Sequence, residues 1–104
     1  MPIDRDRIIM LMDYYGDLLT KHQNDIMDEY FNEDLSMNEI ADNYMISKSA
    51  VQDLIKTTIS KLNEYEKKLH LLDKDKKIDK IIDEMKKENN DILNKYIDRI
   101  NKVR

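Results

Sequence analysis

Only one glycine, Gly16, and one proline, Pro2, occur in 104 residues. Sheets and irregular loops need residues that tolerate positive φ or fix a turn, and this chain has almost none to give them. What remains is rich in Ile, Leu, Met, Lys, Glu and Asp, so the expected fold is all-α. The length sets one domain-sized core with extensions.

Composition then narrows the function classes. There is no cysteine, which removes disulfides, thiolate metal sites and thiol catalysis and fits a cytoplasmic protein. The start, MPIDRDRIIMLMDYYGD, has a short apolar run among acids, and neither a secretory signal nor a membrane span is expected. No Gly-rich loop is available to hold a phosphate. His22 and His70 stand apart from any ligand set at metal spacing, and Asp28, Glu29, Glu33 and Asp34 read as solvated charge. The chain is therefore expected to be non-enzymatic, with no cofactor.

Periodicity and capping place the helices. Ile8, Leu11, Met12, Tyr15, Leu18 and Leu19 predict an amphipathic first helix over 5–18, on which Ile9, Met10 and Tyr14 lie off the main stripe. Thr20 with Gln23 is a capping box for a second helix over 21–32 that buries Ile26, Met27, Tyr30 and Phe31. Ser36 with Glu39 repeats the device for a short third helix over 37–44, stapled by Leu35 and Ile40. Ser47 caps a fourth helix starting at Lys48, whose apolar positions Val51, Ile55, Thr58, Leu62, Tyr65, Leu69 and Leu72 step by four and three. "DKDKK" at 73–77 interrupts that seam, and either a bend there or a continuous helix whose buried face rotates leads into a C-terminal amphipathic helix. The expected domains are a head over 1–72 and a C-terminal helix over 73–104.

Residues 35–55, "LSMNEIADNYMISKSAVQDLI", have the form of a helix-turn-helix. The two helices of that motif pack closely, which calls for a small residue in the first and apolar residues around the turn. Ala41 meets the first need; Ile40, Tyr44, Ile46, Val51 and Leu54 meet the second. Met45 stands where glycine is common because φ is often positive, so a differently shaped or strained turn is expected there. On the exposed front of the fourth helix, Lys48, Ser49, Gln52 and Lys56 are the candidate nucleic-acid-binding residues, with Gln suited to adenine and Lys to guanine or phosphate. Asp53 opposes them. Residues 1–72 hold 8 Lys or Arg against 14 Asp or Glu, and residues 73–104 hold 10 against 8, so the part shaped like a DNA reader is the acidic part, and DNA binding is disfavoured.

Residues 13–74 resemble the YlxM family, small bacterial proteins similar to region four of sigma factors. The pieces "LLTKHQ", "DLSMNEIA", "ISKSAVQDLIK" and "EYEKKLHL" lie in that family's order and spacing. The resemblance implies a sigma-region-four-like head with a long fourth helix, a cytoplasmic setting, and an accessory or regulatory role in the signal recognition particle pathway with the GTPase Ffh as a protein partner. The alternative is a DNA-binding transcriptional regulator. A third reading is RNA contact through Lys74, Lys76, Lys77, Lys80, Lys86 and Lys87. In the tail, Ile78, Ile82, Met85, Asn89, Ile92 and Tyr96 follow one helical period and are the candidate dimerisation residues, Asn89 acting as the polar residue that fixes register. A homodimer is expected, because a tail this rich in Ile needs a partner; the alternative is a tail that packs back on the head with Asn89 facing water.

Overall fold

In the computed structural model, residues 4–104 are described; Pro2 and the first residues of the expected head lie outside them. Each of the four α-helices described in the first seventy residues starts where a short polar side chain meets an unpaired amide. Asp4 accepts from the Arg7 amide and opens α1, Arg5–Tyr15. Thr20 and Gln23 form a reciprocal capping box at α2, Lys21–Phe31. Ser36 and Glu39 do the same at α3, Met37–Tyr44. Ser47 Oγ accepts from the Ala50 amide at 3.0 Å and opens α4, Lys48–Leu69. These caps satisfy donors that a helix leaves unpaired at its first turn. The second and third expected helices match in position. The first ends three residues early: Gly16–Leu18 tighten into a 3-10 turn, held by Asn24 Nδ2 donating to the Gly16 carbonyl at 2.8 Å, and Leu18 is left exposed.

The chain divides into two compact units after His70. In the first, α4 is the spine, packing against α1, α2 and α3. It buries Val51, Ile55, Thr58, Leu62 and Glu66, a stripe at three- and four-residue steps. Opposite them lie Ile8, Leu11 and Tyr15 of α1, Ile26, Met27 and Phe31 of α2, and Ile40 and Ala41 of α3. Two polar groups enter this core with partners: the Thr58 hydroxyl donates to the Leu54 carbonyl at 2.7 Å, and the Tyr15 hydroxyl donates to Glu66 Oε1 at 2.7 Å. A buried carboxylate is tolerated only when hydrogen-bonded. The apolar spacing predicts that the α4 stripe runs on to Leu72, but His70 takes a left-handed conformation and stops the helix, its amide bonding to the Glu66 carbonyl at 2.8 Å.

The second unit is a helical hairpin, α5 Leu71–Lys87 packed on α6 Asp91–Val103. The sequence predicts one C-terminal helix over 73–104; the structure has two. Asn89 is left-handed, φ 48°, and Asn90 Oδ1 accepts from the Ile92 and Leu93 amides at 2.8 and 3.3 Å. Asn tolerates positive φ and is among the preferred N-caps, so the consecutive asparagines end one helix and begin the next.

Candidate functional site

The helix-turn-helix is built as its sequence requires. Ala41, Ile40 and Val51 are all buried, and α3 packs against α4. The reversal is made by one residue, Met45, at φ 56° and ψ 43°. Its amide and that of Ile46 close the end of α3 on the Asp42 and Ala41 carbonyls at 3.3 and 3.0 Å. Of the two outcomes expected from the missing glycine, an altered turn or a strained one, the structure has the second: the turn keeps the ordinary left-handed shape. Met45 accepts the steric cost of that conformation, and its side chain stands 92 % exposed, so no packing competes with the turn.

Lys48, Ser49, Gln52, Asp53 and Lys56 are all exposed on the first turns of α4. Among the described residues no ion pair ties up Lys48, Asp53 or Lys56, so their charges face solvent. The four candidate nucleic-acid contacts thus share one stretch of helix, and the opposing carboxylate of Asp53 sits in their midst. Chemically this front can donate hydrogen bonds and two positive charges, but it offers no arginine fork.

Behind the motif the surface is acidic. Tyr44, at the end of α3, donates to Glu29 Oε2 of α2 at 2.5 Å. That hydrogen bond, then partial burial and the nearby charges of Glu29, Asp25 and Glu33, push its phenol up to about 12. The His22 ring stands edge-on to Tyr44, centroids 5.4 Å apart. Lys21 pairs with Asp25 at 2.7 Å, which raises the lysine pKa. Between α1 and α2 a groove of about 320 Å³ is lined by Asp13, Asp25 and Asp28 with Asn24, Asn32, Ile9 and Met12. Ile9, off the expected stripe, and Met12, on it, are both half-buried.

Two residues that sequence reasoning passes over organise the head. Arg5 Nη2 reaches the Tyr30 and Phe31 carbonyls at 3.2 and 2.9 Å and Asp34 Oδ1 at 2.5 Å, a cation placed on the negative end of α2. Its guanidinium also lies 5.8 and 5.5 Å from the Tyr30 and Phe31 ring centroids. Glu66 is one more acid in a charged stretch of sequence, yet it is buried. Its place at the i+4 step after Leu62 is the available signal. No set of three His, Cys, Asp or Glu able to hold a metal occurs among the described residues.

The expected dimer seam is split. Ile82 is buried and Ile78 and Met85 half-buried on α5, Asn89 lies in the link, and Ile92 and Tyr96 project from α6 at 67 % and 52 % exposure. A break of three residues between the helices, 88–90, ends the common period, so these six do not form one face.

A helix-turn-helix is also what the matching family model describes. The UPF0122 family model, described as "Putative helix-turn-helix protein, YlxM / p13 like", matches residues 3–103. This chain belongs to the UPF0122 family. It is 43 % identical over 104 residues to the UPF0122 protein of Clostridium perfringens, covering 91 % of this chain and 90 % of that one. It is 49 % identical over 72 residues to the UPF0122 protein of Limosilactobacillus reuteri, covering 68 % of this chain and 64 % of that one. With the UPF0122 protein of Clostridium novyi the identity is 47 % over 75 residues, covering 72 % and 65 %. The UPF0122 membership agrees with the fold: all-helical among the described residues, with α3 and α4 in the expected motif. No helix there is long and apolar enough to cross a membrane.

Proposed function

We propose that this UPF0122 protein is a non-enzymatic, cytoplasmic accessory or regulatory protein of the signal recognition particle pathway, acting by binding a protein partner such as Ffh. The observation that carries the reading is the sign of charge on the head. Through His70 it holds 8 Lys or Arg against 14 Asp or Glu, and the groove between α1 and α2 is lined by three carboxylates. Such a surface attracts a basic protein and repels phosphate, and its steering weakens as salt screens it. The resemblance to YlxM proteins supplies the pathway. The protein acts as a homodimer joined through its second unit.

The alternative is a transcriptional regulator that reads DNA with Lys48, Ser49, Gln52 and Lys56. The exposure of all four on one stretch of α4 favours it; Asp53 beside them weighs against it.

Two measurements separate the readings. Purified protein is titrated into labelled random duplex DNA at low and physiological salt, with fluorescence anisotropy as the readout. Co-purification is run with tagged Ffh, with and without its RNA. Retention of the protein by Ffh with no duplex binding supports the accessory role. Tight duplex binding at physiological salt and no retention by Ffh transfers the assignment to gene regulation.

A further inference from the structure

The hairpin α5–α6 exposes more large apolar residues than it buries. Leu72, Ile82 and Ile97 are its buried positions, while Ile81, Ile92, Tyr96 and Val103 are 56, 67, 52 and 85 % exposed. Units below roughly 40 residues seldom bury enough surface to stand alone. Three of the exposed residues share one side of α6. Ile92, Tyr96 and Val103, with Arg99, follow at intervals of four, three and four, which on an α-helix keeps them within about 60° of one another. Arg99 lies over the Tyr96 ring, 5.6 Å from its centroid. Beside them a depression of about 400 Å³ is lined by Tyr96, Arg99, Ile100 and Val103.

This stripe reads the same in both directions. Reversed, the intervals are again four, three and four, so an antiparallel copy sets Ile92 opposite Val103 and Tyr96 opposite Arg99. The flank beside the stripe carries Asp91, Lys95, Asp98 and Lys102, all exposed, again at four, three and four. Their signs run minus, plus, minus, plus. Reversal inverts that order, so an antiparallel copy brings Asp91 to Lys102 and Lys95 to Asp98, with an axial offset of about 3 Å that a lysine side chain spans. Among the described residues none of the four forms an ion pair within the chain, although their spacing would permit one. The opposite flank of α6, through Leu93, Ile97 and Ile100, is the one that faces the hairpin's interior. In antiparallel pairing like flanks meet, so the charged flank meets only its own kind, with opposite signs.

We propose that two copies of this chain associate through the outer face of α6, antiparallel, about a two-fold axis at the level between Ile97 and Asp98. The arrangement is isologous and closes on itself, as a dimer of identical chains requires. It puts Ile92 of the second copy over the depression beside Val103. The two Tyr96–Arg99 pairs meet near the axis, where an aromatic face and a guanidinium are mutually attractive. This rests on the homodimer reading above and specifies its surface, moving it from the expected seam to α6.

The test uses the full chain, with light scattering after size exclusion over a range of concentrations and circular dichroism to verify helix content. Wild type is expected at twice the 12.5 kDa chain mass. In a dimer of Lys95→Glu chains, Asp98 of each copy faces a carboxylate instead of an ammonium group. In a dimer of Asp98→Lys chains, Lys95 of each copy faces a second ammonium group. Each change weakens the dimer about tenfold, the scale of two reversed surface pairs. Mixing the two variants restores it, because in the mixed dimer the introduced carboxylate faces the introduced ammonium group, and the remaining Asp98 faces the remaining Lys95. Repair of an interaction within one helix would not need mixing. Tyr96→Ala, which alters no charge, weakens the dimer as well. A wild type that is monomeric throughout overturns both the homodimer and this surface. A wild-type dimer that ignores Lys95→Glu and Tyr96→Ala, or that mixing fails to rescue, overturns the α6 surface and leaves the homodimer standing.

Discussion

Arg5 and Tyr44 illustrate how single side chains hold the head together from outside its core. Arg5 joins the start of α1 to the carbonyl end of α2 and to Asp34, and its side chain is 45 % exposed, so its contribution is modest. Arg5→Ala is expected to lower stability by about 1 kcal/mol, read as a shift in the urea midpoint without a change in slope. Tyr44 gives a pH signature. Its phenol is raised to about 12 from an ordinary value near 10, chiefly because it donates to Glu29. A group whose pKa is higher when folded stabilises fully below its unfolded value and loses that contribution as pH passes its folded value. The gap in urea midpoint between wild type and Tyr44→Phe should therefore hold constant up to about pH 10 and close toward about pH 12. A gap that does not change over that interval would mean the hydrogen bond to Glu29 contributes nothing.

Helix starts are readable in the sequence because capping is local chemistry: Thr20 with Gln23, Ser36 with Glu39, and Ser47 each announce themselves within four residues. Helix ends are not. Asp34, Met45, His70 and Asn89 all take positive φ, and none is a glycine, so the usual stop signal is absent and termination is decided by the carbonyls that each reversal satisfies. That is why the spacing carries α4 past His70 and why two tail helices read as one. The exposed front of α4 is readable from spacing alone. The burial of Glu66 is not, since it depends on Tyr15 arriving from a helix fifty-one positions earlier. Two predictions belong to this scale. Met45→Gly should raise stability by roughly 0.5–1 kcal/mol, seen as a melting temperature a few degrees higher, because the side chain it removes is exposed and its conformation favours glycine. Asn90→Ala should cost about 1 kcal/mol through the lost cap of α6, with a loss of helical signal by circular dichroism in the same variant.

Over the whole chain, 22 acidic residues face 18 basic ones, and the excess of acid lies in the unit that carries the helix-turn-helix. A fold that in other proteins presents a helix to the major groove is here surrounded by a field of the wrong sign for phosphate. Asp53→Lys should convert the front of α4 into a surface with measurable, steeply salt-dependent affinity for random duplex DNA, against none for wild type at about 150 mM salt. If the variant stays silent, the acidity elsewhere on the head is what governs. The one-residue reversals carry a different consequence, for how such a chain can change over generations. A residue inserted at Asp34 or Met45 would move the Leu35 or Ile46 amide off the Glu29 or Ala41 carbonyl on which it closes, and one inserted after Val103 would move Arg104 off Asp75 and Asp79. Substitution is thus the mode of variation these joints permit.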